Sequence, residues 1–259
     1  TPNADGPVDP TDRRFWGLVR RHFPLREEPL YVNNGGLGPS PYQAINVLKT
    51  MIDEGERVCS HLHSAELWRS VKEKAGRALG CDPEEVAYTG NATDGINIVC
   101  NGLPLKKGDE VITTTHEHIG NTASWLARQR RDGIVMKTFV PSMKSPQETL
   151  DRLAAKITRR TRAINITHVS TVGQLNPVVE IGKLAAKHDL LYFVDGAQAP
   201  GMMPVDVREI GCHAYCCSGH KWLLGPKGTG LLYVRRDALD QIGATFAGAY
   251  STQGPFDMT

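Results

Sequence analysis

LLYFVDGAQAPGMMPVDVREIGCHAYCCSGHKWLLGPKGTGLLYV, residues 190–234, holds three short apolar runs set apart by turn residues. The first run, rich in aromatic and β-branched side chains, stops at Asp195 and Gly196. It predicts a buried strand that delivers a carboxylate to its C-terminal end. Ala214–Ser218 predicts a second strand, and Leu231–Val234 a third, after a turn rich in glycine at Gly225, Gly228 and Gly230. Between the second and third stands Gly219-His220-Lys221. A lysine there is either a solvated loop residue or a desolvated amine of lowered pKa, able to form a Schiff base. Taken alone it reads as solvated, because lysines are mostly exposed. The combination of Asp195, Gln198 and Ser218-Gly-His220-Lys221 at successive strand ends points the other way, since ligands of an open α/β sheet bind at that edge.

Upstream, strands and helices alternate. Glu85–Gly90, Gly108–Thr115, Ile134–Val140 and Arg162–His168 read as strands. Ala65–Leu79, Asn91–Cys100, Thr122–Arg131, Gln147–Ile157 and Val178–Lys187 read as helices, with Gly80 a stop signal. Another helix begins near Pro41 and shows its periodicity from Ala44 to Met51. The expected fold is therefore α/β, a three-layer sandwich with a mainly parallel sheet. Thr93 is the expected N-cap of the helix that opens at Asn91, and the free N–H groups of such a terminus also suit a phosphate. Asn33-Asn34-Gly35-Gly36-Leu37-Gly38 is a loop with several residues free to adopt positive φ.

Two histidine pairs invite a metal reading. His61-Leu-His63 has no third ligand at a familiar spacing, and His116-Glu117-His118, read alone, suggests a metal-dependent hydrolase, an alternative rejected below. Neither glycine-rich segment fits the nucleotide-binding G-x-x-x-x-G-K-[ST] pattern. Six cysteines include no CxxC pair, which argues against zinc and against a dense disulfide framework. Cys216 and Cys217 should point to opposite faces of a strand, and most of the six read as small buried hydrophobes.

The 259 residues, 40% of them hydrophobic, suffice for one large domain or two small ones. A net charge of +2 gives no reason to expect nucleic acid, and no apolar run approaches the roughly 20 residues of a membrane span. Arginines around Phe15, Trp16, Leu18 and Val19 predict a short amphipathic helix that packs on its own domain. Residues 1–12, rich in Pro and Asp, read as an extended arm. The opening TPNADGPVDP carries no initiator methionine, which leaves the compartment open between cytoplasmic and, after signal removal, periplasmic or secreted.

Asp195-Gly-Ala-Gln198, Ser218-Gly-His-Lys221 and Gly-Pro-Lys-Gly-Thr-Gly together resemble the pyridoxal-phosphate region of the class V aminotransferase superfamily. That group includes cysteine desulfurases, selenocysteine lyases, kynureninases and isopenicillin N epimerase-like proteins. The resemblance implies the large domain of pyridoxal 5′-phosphate enzymes of fold type I, with residues 1–29 an arm and short helix, 30–259 the cofactor domain, and the family's C-terminal small domain outside this chain. It implies Lys221 as Schiff-base lysine and local base, Asp195 facing the pyridine nitrogen, and Gln198 beside the phenolic oxygen. Ala92, Thr93, Ser218 and His220 are implied at the phosphate. The Glu117-His118-x-x-Asn121 spacing matches the family and implies His118 stacked on the ring. Thr171 falls where many desulfurases carry asparagine, and Asn34 and Gly35 fall on the substrate side. An amino-acid or amine substrate and a homodimer are implied likewise. The Asn-Asn-Gly-Gly loop and Thr171 favour an isopenicillin N epimerase-like or aminotransferase-like member. A cysteine desulfurase or selenocysteine lyase is the main alternative, and a non-catalytic cofactor-binding protein a third.

Overall fold

A computed structural model describes residues 9–59, 64–248 and 251. Its centre is a seven-stranded sheet of β1 (Val86–Thr89), β2 (Glu110–Thr114), β3 (Val135–Phe139), β4 (Thr161–Thr167), β5 (Leu191–Asp195), β6 (Ala214–Ser218) and β7 (Gly230–Val234). The order across the sheet is β1-β7-β6-β5-β4-β2-β3. β7 runs antiparallel to both its neighbours, while the other pairings are parallel. The helices are α1 (Arg13–Arg20), α2 (Tyr42–Val58), α3 (Ala65–Leu79), α4 (Ala92–Gly102), α5 (Ile119–Asp132), α6 (Pro146–Ala154), α7 (Val178–Lys187) and α8 (Val207–Ile210).

The three layers follow from the period of two along each strand. Val111, Ala163, Phe193, Ala214 and Cys216 face one side, where Ile96 and Val99 of α4 and Trp125 of α5 cover them. Their chain neighbours Ile112, Ile164, Val194, Tyr215 and Cys217 face the other, packing with Leu153 of α6 and Ile181 of α7. Cys216 and Cys217 therefore lie on opposite faces, as expected. Cys100 and Cys212 are also buried, Cys81 half-buried and Cys59 exposed.

Some boundaries depart from the sequence reading. The N-cap of α4 is Asn91, whose extended backbone lets its short side chain accept from Asp94 N at 2.9 Å. Thr93 lies inside the first turn, so it is not the cap. α5 begins at Ile119, directly behind His118, and α1 forms but buries none of its residues, with Trp16 49% exposed. The packing expected of α1 is thus loose. His61 and His63 lie outside the described residues, and no cluster able to hold a metal ion occurs among the described ones. No described helix is long and apolar enough to cross a membrane.

Behind the strand ends, buried His168 and Tyr215 meet, Nδ1 to Oη at 2.9 Å. Burial pushes the imidazole down from 6.5 to about 4. A histidine depressed in this way takes up its proton first in the unfolded chain. Its contribution to stability is whole above pH 6.5 and is lost as pH falls toward about 4. The full swing is about 3 kcal/mol. Thermal melts across this window should show a shallower loss in His168→Gln than in the wild type; matching slopes would refute the assignment.

Candidate active site

Parallel strands that end at one edge bring distant residues together there. β5 delivers Asp195, β6 delivers Ser218, and the β6–β7 connection carries His220 and Lys221. β2 leads to Glu117 and His118, and β1 to the N-terminus of α4.

Asp195 is 3% exposed. Its Oδ1 accepts from Ala197 N at 2.9 Å, and its second oxygen has no donor among the described residues. Desolvation raises its pKa, against the lowering effects of that N–H and of the charges on Lys221 and His118. Lys221 is half-buried, and desolvation lowers its pKa while Asp195 opposes the change. A neutral amine is thereby more accessible than on an exposed lysine, which suits both a nucleophile and a base.

The ring face and the phosphate end are built beside them. His118 caps α5, its Nδ1 accepting from Gly120 N at 3.0 Å, which places the proton of the neutral ring on Nε2. Gly120 measures how closely the pieces meet: a methyl group there would stand 2.5 Å from Thr93 Oγ1 and 3.1 Å from His118 Nδ1. Thr93 thus projects toward the imidazole, in the first turn of α4, whose N–H groups take no helix carbonyl. Ser218 reaches the same turn, its hydroxyl accepting from Ala92 N at 3.2 Å. The backbone of Ala92, expected at the phosphate, is engaged by Ser218, which leaves Thr93 the better-placed donor. His220 donates from Nδ1 to Thr229 O at 3.1 Å, which fixes its ring, and desolvation lowers its pKa.

The remaining predicted residues serve as connectors. Gln198 donates to Gly35 O at 2.9 Å and accepts from Trp222 Nε1 at 2.7 Å, so both ends of its amide are engaged. Gly35 is bound through its carbonyl and Asn34 is half-buried beside it. Thr171 is exposed, its hydroxyl donating to His116 O at 3.3 Å. Sequence reasoning missed Trp222 and the clamp of the N-terminal loop on the lysine segment. In that clamp Gly38 N donates to His220 O at 2.8 Å, Ser40 Oγ donates to Gly225 O at 2.8 Å, and Lys227 Nζ donates to Gly38 O. The small residues at Gly38 and Ser40 were the only sequence signal for it. It also missed a cleft of about 850 Å³ that runs along α4 between Tyr88, Asp94, Asn101, Arg131 and Phe246.

Lys221 and Asp195 sense each other's charge without forming an ion pair, and each keeps a polar atom with no partner among the described residues. A flat ring with a basic nitrogen at one side and an aldehyde at the other satisfies both, the requirement of pyridoxal-phosphate proteins of fold type I. Comparison then fixes the family. The chain belongs to the class V aminotransferases, whose family profile (Aminotransferase class-V) matches residues 44–254. It is 32% identical over 233 residues to a probable cysteine desulfurase of Methanothermobacter thermautotrophicus, covering 86% of this chain and 57% of the relative. It is 34% identical to an isopenicillin N epimerase of Streptomyces clavuligerus over 247 residues, 89% of this chain and 59% of the relative. Among solved structures it is similar to a C-DES mutant with glycine covalently linked to its PLP cofactor, at 28% identity and a TM-score of 0.77, covering 93% of this chain and 63% of the other. The chain thus spans about three-fifths of the proteins it matches. Pyridoxal 5′-phosphate is the cofactor of this family, and the residues at the sheet edge fit it.

Proposed function

We propose that the protein is a pyridoxal-phosphate-dependent enzyme that acts on an amino acid or amine through Lys221. The supporting observation is the Lys221–Asp195 couple: a partly desolvated amine and a buried carboxylate oxygen, neither with a partner among the described residues. When bound, the cofactor supplies an electron sink for negative charge at the substrate's α-carbon. Asp195 holds a proton on the ring nitrogen through a charge-assisted hydrogen bond. His118 would restrain the ring, and Thr93 and Ser218 would hold the phosphate at the positive end of α4. The Lys221 amine moves the α-proton.

Within that class, relatives named for epimerisation and for desulfuration match about equally well. Epimerase-like or aminotransferase-like chemistry is the first reading, supported by the Asn33–Gly36 loop, whose Gly35 is tied to Gln198, and by Thr171. Cysteine desulfuration or selenocysteine lysis is the second, supported by the relatives so named. The full-length protein incubated with cysteine separates them. No sulfide or persulfide release, with keto-acid formation or inverted stereochemistry on another amino acid, is the expected result; stoichiometric sulfur release would reverse the order. A second copy of the chain is the proposed partner, supported by α2, which buries no residue, and by the apolar groove it forms with Trp68 and Val71 of α3. The same preparation should sediment as a dimer.

A further inference from the structure

Glu117 is a titratable side chain at the strand-end edge to which the proposed function gives no task. It is held unusually firmly for a residue in a turn. Oε1 accepts from Thr114 Oγ1 at 2.6 Å and from Thr167 N at 3.2 Å, and Oε2 accepts from Asn121 Nδ2 at 2.8 Å. Those donors come from the ends of β2 and β4 and the first turn of α5. Asn121 is itself aimed by Asn165 Nδ2, which donates to Asn121 Oδ1 at 2.8 Å, and both amides are buried. Thr167 pairs with Asp195 across β4 and β5, and its hydroxyl donates to Asp195 O at 3.3 Å. One residue, Thr167, therefore joins the two carboxyl-bearing segments.

We propose that Glu117 is a positioning residue for the cofactor ring: it locks the turn that presents His118, and it sets a second carboxyl beside Asp195 that strengthens the ring nitrogen's hold on its proton. This rests on the pyridoxal-phosphate reading. The first role follows from geometry, since Glu117 adjoins the stacking residue and binds the helix turn behind it. The second follows from electrostatics. A negative charge near Asp195 favours positive charge on whatever Asp195 pairs with.

The surroundings of Glu117 make its charge adjustable. Desolvation pushes its pKa up to about 7, the three donors lower it, and the charge on Asp195 raises it. Asp195 and the Tyr192 phenol are the titratable groups that act on it from β5, and its hydrogen-bond donors on β2, β4 and α5 are the neutral Thr114, Thr167 and Asn121. His116 and His118 flank it on its own turn, and Lys221 acts on Asp195 from the β6–β7 connection. Glu117 therefore takes up its proton far more readily than an exposed glutamate.

The test is a pH titration of the bound cofactor's visible band in full-length wild type, Glu117→Gln, Glu117→Asp and Thr114→Val, with cofactor retention on dialysis and melting temperature measured alongside. Glu117→Gln should lower the titration midpoint by about one unit and lose cofactor about tenfold faster. Glu117→Asp keeps the charge on a shorter arm and should restore the midpoint but not the retention. Thr114→Val, which keeps the carboxyl and removes one donor, should lower the midpoint by a smaller amount, so a Gln variant that fails to fold leaves this variant to decide. Midpoints unchanged in every variant, with only melting temperatures lowered, would overturn the proposal and leave the function intact. A wild type that takes up no cofactor would overturn both.

Discussion

Lys221→Ala is expected to yield a folded protein with no visible absorption from lysine-bound cofactor and with turnover reduced on the order of 10⁴-fold, the upper range for a lost acid–base group. The fold should survive, because the Lys221 amine anchors no ion pair among the described residues and the side chain is only half-buried. Cofactor added to the variant should keep the spectrum of the free aldehyde, since no amine replaces the lost one. Added ammonia or a small primary amine should restore part of the rate by supplying the base from solution. A variant that keeps its colour and turnover would remove Lys221 from the chemistry, and a wild type colourless after incubation with cofactor would remove the chemistry itself.

Gly38→Ala should have the next largest effect. A Cβ at Gly38 would lie 1.8 Å from Lys221 O and 2.8 Å from Lys221 C, and 3.2 Å from Leu224 Cδ2. The first two are backbone atoms in a tight turn: Leu224 N donates to that same Lys221 oxygen at 3.2 Å, and Leu224 already holds a φ of +56°. The clash cannot be relieved by a rotamer change, so either the N-terminal loop lifts off or the lysine segment moves. The cost is about 3 kcal/mol, the upper part of the range for overpacking. Chemical denaturation should show it, together with slower uptake of cofactor. Gly36→Ala is the control, because there the nearest atoms to a Cβ belong to the Asn33 side chain, which can swing away. Equal stability of Gly38→Ala and wild type would mean that the clamp is open in solution.

Much of the fold was legible because strand ends announce themselves. Apolar runs that stop at Asp195 and Ser218 gave the edge, and alternation along Cys216 and Cys217 gave the two covered faces. The antiparallel course of β7 was not foreseen, since an apolar run carries no direction. Thr93 was misassigned as the cap because Asn91 and Thr93 both belong to the capping residue types, and only the extended backbone of Asn91 separates them. The partners of Gln198 and the Thr167 contact of Glu117 were beyond the sequence for a different reason. They depend on contacts between segments far apart in the chain, such as Gln198 with Gly35, for which local pattern holds no signal.

The clamp also bears on how the molecule is born. Ser40 and Gly225, which it joins, are 185 positions apart, and Lys227 and Gly38 are 189 apart. On the ribosome the early loop emerges long before its dock exists, and contacts of such sequence separation form late. Cofactor capture therefore waits until β7 has closed the hairpin that carries the lysine. A nascent chain halted before β7 would hold most of the α4 helix and sheet but no seat for the vitamin.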